Sequence, residues 1–159
     1  MFAYLKRAPH FILMGLAATL PMTLWMLVSD RLLSPARDEP LPPEAITVEM
    51  ARKVGQEEPL ANKSRRESIT TFNHYAMGAV MAVPLMLFRK KPSLKSGLLY
   101  GCLIWFMNYV FLLPTLGLYP HARHKKGRLN FIMILAHLVW GISLSQGLAH
   151  DKRLQEHSV

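Results

Sequence analysis

Four long apolar runs divide the chain, at residues 11–28, 69–88, 98–119 and 129–149, and none contains Asp, Glu, Lys or Arg. Each is about 18–22 residues, which at ~1.5 Å per residue matches a hydrocarbon core about 30 Å thick. A backbone in lipid must satisfy its own hydrogen bonds, so such runs have to be helices. The expected fold is therefore an all-α membrane protein. It has four transmembrane helices in one bundle, with spans at 11–30, 69–88, 97–119 and 129–149.

These spans and their flanks use nearly all of the 159 residues, leaving room for one domain, 1–159, and no separate soluble module. The 31–68 segment is the one sizeable extramembrane piece. The net charge of +9 sits at the ends of the spans, as in Lys6-Arg7, Arg89-Lys90-Lys91 and Lys125-Lys126. Cations so placed anchor to headgroups and set orientation, so the expected partners are anionic lipids and not nucleic acid. The first run is long for a signal peptide and no A-x-A-like site follows it, so an uncleaved anchor is expected. The cation-dense, acid-free second loop is expected to put both termini on the cytoplasmic side.

Cys102 is the single cysteine, which excludes an intrachain disulfide and a thiolate metal cluster. Within 31–68, Pro35, Pro40, Pro42 and Pro43 are expected to exclude helix at the start of the loop. Ile46, Met50 and Val54 then form an apolar stripe on a short amphipathic helix stopped by Gly55. That helix is expected to pack as a loop helix without a ligand. Ser64 and Glu67 fit a capping box ahead of the second span. Pro21, Pro84 and Pro114 lie inside spans and are expected to kink them.

The candidate functional residues are His74 and His137. No carboxylate or ammonium lies in any of the four apolar runs, and a histidine at membrane depth is a functional candidate by default. Thr70, His74, Gly78 and Ala82 share one helical face, as do His137, Gly141 and Ser145. Small residues at this spacing let backbones approach, so both imidazoles should face the bundle interior at similar depth. Asn73, Asn108 and Tyr109 are the candidate polar partners, Asn108 chiefly for His137. Gly97 and Gly101 open the third span with a small-xxx-small pattern that fits close packing or a dimer face.

Four roles suit the histidine pair: structural hydrogen bonding, a pH-responsive site, bis-histidine haem ligation, or a protein-only metal site. Two nitrogens are too few ligands for the last, so no metal is expected. No cofactor is expected either, haem b being the alternative. His121 and His124 lie among cations in the third loop, which suits an anionic lipid better than a metal. No nucleophile–base pair, zinc motif or phosphate loop is present, so no enzymatic activity is expected. Alternatives are an accessory subunit of a larger membrane complex or a small oligomeric channel or transporter.

Several motifs resemble the YagU-like family of small bacterial inner-membrane proteins. They are Asn73-His74, Gly-Leu-Leu-Tyr-Gly from Gly97, Pro-Thr-Leu-Gly-Leu-Tyr-Pro from Pro114, and Ala-His-Leu-Val-Trp-Gly from Ala136. Leu41-Pro-Pro after the first span also resembles that family's proline-rich loop. Asn108 stands where the family pattern has a third histidine. The resemblance implies a role in acid resistance, consistent with a pH-responsive His74–His137 pair.

Overall fold

The computed structural model describes residues 8–33, 39–87 and 93–157, and among these every regular element is helical. Five helices carry the fold. They are α1 (Ala8–Leu33), α2 (Pro42–Lys53), α3 (Lys63–Ala82), α4 (Leu94–Thr115) and α5 (Gly127–His157). Three of them, Ala8–Leu33, Leu94–Thr115 and the Gly127–His150 part of α5, are long and apolar enough to cross a membrane.

The second expected span is the exception. Its α-helix begins at Lys63, so Lys63, Arg65, Arg66 and Glu67 fill its first turns. It ends at Ala82, short of the expected 88, and Val83–Leu87 continues as a 3-10 helix. Pro84 explains the change. It has no N–H to give the Val80 carbonyl, and the Val83 N–H takes that oxygen in a tighter turn. The cap also differs from the expected Ser64–Glu67 box. Asn62 is the N-cap, its Oδ1 accepting from the Arg65 N–H at 3.1 Å. A reciprocal capping box occurs instead at Ser93 and Ser96, opening α4.

The other span prolines are accommodated locally. Around Pro21, the Thr19 and Thr23 hydroxyls each donate to the carbonyl four residues back, at 2.8 Å. Ahead of Pro114, α4 widens into a π-helix over Met107–Leu112, with the Leu113 N–H reaching the Asn108 carbonyl. The helix then stops at Thr115, before the expected 119. Gly117 takes φ +62°, its N–H bonds the Pro114 carbonyl, and the Leu118 N–H reaches back to Leu113.

Close helix packing runs along two glycine seams. On the α4–α5 seam, a Cβ on Gly141 would lie 2.9 Å from the Gly101 Cα, and one on Gly97 would lie 2.9 Å from the Ser145 Oγ. The Gly97–Gly101 pattern therefore serves packing inside the bundle. The α1–α3 seam crosses at Gly15, where a Cβ would lie 2.7 Å from both the Gly78 carbonyl and the Ala82 Cβ. Between the seams, α5 packs on α1, and the Trp25 indole donates to the Ile132 carbonyl at 3.3 Å. The resulting order is α4, α5, α1, α3. The core lies along α5, where Ile132, Met133, Ala136, Trp140 and Leu144 are buried.

The outer surface is apolar. Leu13, Leu20, Leu24 and Leu27 on α1, Phe72 and Val80 on α3, and Leu99 and Phe106 on α4 are all exposed. An apolar surface of this extent suits lipid contact.

Candidate functional site

The order of the helices leaves α3 and α4 without a glycine seam between them. Near one end the Tyr100 hydroxyl of α4 donates to the Met81 carbonyl at 2.6 Å, where the α-helical part of α3 is giving way to the 3-10 turn. Beside this tie lies a largely apolar cavity of about 420 Å³. Its walls include Met77, Gly78 and Met81 of α3, Ile104 and Leu113 of α4, and Met133 and Trp140 of α5. Thr19 and Met22 of α1 line it as well. Met77 and Val80, also lining residues, are exposed on the outer face, so the cavity opens sideways between α3 and α4.

The candidate residues from all three helices meet here. His74, Asn73, Asn108, Tyr109 and His137 line this one cavity. Their bonding differs from the expected pairs. His137 does not bond Asn108. Its Nδ1 lies 2.8 Å from the Met133 carbonyl one turn earlier on α5. The Tyr109 ring meets the His137 ring edge-on, with centroids 5.7 Å apart. Asn73 reaches across to α2 instead, its amide donating to the buried Thr47 hydroxyl at 3.4 Å. Nε2 of His74 and Nε1 of Trp140 are enclosed without a hydrogen-bond partner among the described residues. Trp140 stacks on Tyr100, with ring centroids 5.9 Å apart.

Helix α2 covers one end of the cavity with Pro43, Ile46, Thr47 and Met50. Contrary to the expectation that Pro42 and Pro43 exclude helix, both lie in its first turn, where proline's missing N–H costs nothing. Pro35 lies outside the described residues. Of the expected stripe, Ile46 is partly buried and with Met50 lines the cavity, while Met50 is 41% and Val54 70% exposed. Val54 lies just past the helix end, and Gly55 at φ +67° turns the chain away. The Arg66 guanidinium holds α2 in place, bonding Glu44 at 2.8 Å and the Leu60 carbonyl at 3.1 Å.

The third-loop histidines are both engaged with Arg123. The His121 Nδ1 accepts from the Arg123 N–H at 3.1 Å, and the His124 Nε2 accepts from the Arg123 guanidinium at 3.0 Å. Among the described residues no cluster of three or more His, Cys, Asp or Glu side chains is placed to hold a metal. Lys125 pairs with Glu39 at 2.8 Å and lies over the Tyr119 ring, tying this loop to the segment ahead of α2.

Sequence reasoning missed Thr19, Met22 and Thr47 as lining residues. Gly15 and Thr19, four residues apart, carried the small-residue signal that marks the α1 wall. Compared with known proteins, the chain matches no family model, no curated protein and no solved structure.

Proposed function

We propose that this chain is a non-enzymatic protein of the bacterial inner membrane. In this reading α3 with its 3-10 extension is a fourth crossing, and the working part is the cavity between α3 and the α4–α5 pair. One observation carries the proposal. His74, Asn108, Tyr109 and His137, from three different helices, converge on a single apolar cavity that opens toward the lipid-facing surface. A few polar groups on an apolar concave wall are the usual form of a small-molecule site. The function is to hold a membrane-soluble molecule. His74 and His137 are the protonatable imidazoles on the cavity wall, and through them occupancy would respond to acid. The resemblance to the YagU-like family supports an acid- or envelope-stress setting.

Cysteine labelling tests the fourth crossing. In a Cys102→Ser background, Ser64→Cys and Ser93→Cys are expected to react with an impermeant maleimide from opposite faces, Ser64→Cys from the periplasm. Labelling of both from the same face removes α3 as a span.

A second reading rests on a specific contact. The Met133 carbonyl engages Nδ1 of His137 and leaves Nε2 as the nitrogen available to an iron. A Soret band in the purified protein would favour a haem-bearing subunit, and its absence would favour the first reading.

A further inference from the structure

Resting on the cavity reading above, we infer the chemical class of the occupant: an uncharged, membrane-soluble molecule whose hydroxyl donates a hydrogen bond to Nε2 of His137. The Met133 carbonyl can only accept, so the His137 Nδ1, 2.8 Å away, carries the proton. In a neutral imidazole the other nitrogen is then an acceptor. The tautomer is fixed by the α5 backbone, and His137 presents a lone pair at Nε2.

No side-chain donor of the described residues bonds that lone pair. His137 is 6% exposed and Asn108 is 7% exposed, and both line the cavity. The Asn108 amide makes no side-chain hydrogen bond within the described chain, so it can complete the shell around a hydroxyl as donor or acceptor. An acceptor on an apolar wall left unpaired is costly, and a ligand that supplies its donor recovers that cost.

The occupant's charge follows from the walls. Among the described residues no Asp, Glu, Lys or Arg lines the cavity, so a charged headgroup would lie there without a counter-ion from them. Its body follows from Met22, Met77, Met81 and Met133, flexible side chains that mould to an apolar shape. An acceptor-only molecule of the same shape leaves Nε2 unpaired.

A matched probe series tests this in lipid nanodiscs holding the full chain, each probe titrated at equal mole fraction in the bilayer. The probes are 4-nonylphenol, its methyl ether 4-nonylanisole, and nonylbenzene. The phenol is expected to bind about tenfold tighter than the ether, the cost of one unmet hydrogen bond. His137→Leu is expected to abolish that preference while nonylbenzene binding persists. The wild-type comparison stands even if the variant does not fold. Equal affinity for phenol and ether in the wild type overturns the hydroxyl assignment but leaves the cavity reading intact. Failure of all three probes to bind overturns both.

Discussion

Gly141→Val is expected to separate α4 from α5 and to cost about 3 kcal/mol or more of bundle stability. Two opposing effects decide the sign. Losing a mid-helix glycine gains up to about 1 kcal/mol in helix propensity. Against this, the new Cβ would lie 2.8 Å from the Gly101 nitrogen and closer still to the Gly97 carbonyl. Those are backbone atoms on a facing helix and cannot rotate away. The clash therefore dominates, and a β-branched side chain widens it. Denaturation of the solubilised protein should show a strongly lowered midpoint. Gly127→Ala is the control, because a Cβ there meets nothing within 4 Å. An unchanged midpoint for Gly141→Val would mean that α4 and α5 do not pack along this seam.

Trp140→Ala is the second large effect, expected at about 3–5 kcal/mol, the usual cost of truncating a buried aromatic. Trp140 is among the largest fully buried side chains. It fills the space between Tyr100 and the Gly78 backbone and forms part of the cavity wall. Dispersion contacts, not transfer from water, supply most of this stabilisation within lipid. Truncation would also enlarge the cavity and blur its shape. Leu99→Ala, on a residue 73% exposed on α4, is expected to stay within about 0.5 kcal/mol. Similar losses at both positions would contradict the assignment of inner and outer faces.

The contrast between these residues shows what the sequence made legible. Charge-free length pointed to four spans, and three of them are helices long and apolar enough to cross a membrane, because lipid imposes that requirement on every residue of a span. The same criterion could not show that Pro84 divides the apolar run of α3 between an α-helix and a 3-10 turn. Helical periodicity placed His74, Asn108 and His137 on inward faces, and they do share a cavity. It could not say which helices adjoin. Gly78 meets Thr19 of α1, while Gly141 meets Gly97 and Gly101 of α4, and that division creates the gap. The π-helix over Met107–Leu112 was also invisible, since it shifts the facing of Asn108 and Tyr109 by a backbone change that carries no composition signal. Backbone acceptors are likewise absent from any motif, so His137 was assigned to Asn108 when its partner is the Met133 carbonyl.

The central claim is that the cavity between α3 and the α4–α5 pair holds a small molecule in the membrane. A native mass spectrum of the full chain, released gently from its own membranes, tests it most directly. The wild type is expected to carry one small apolar adduct per chain above 18.1 kDa. Ala76→Trp, which fills the cavity from the α3 wall, is expected to lose that adduct. A wild-type chain at its bare mass, or an adduct that persists in a folded Ala76→Trp variant, would contradict the account.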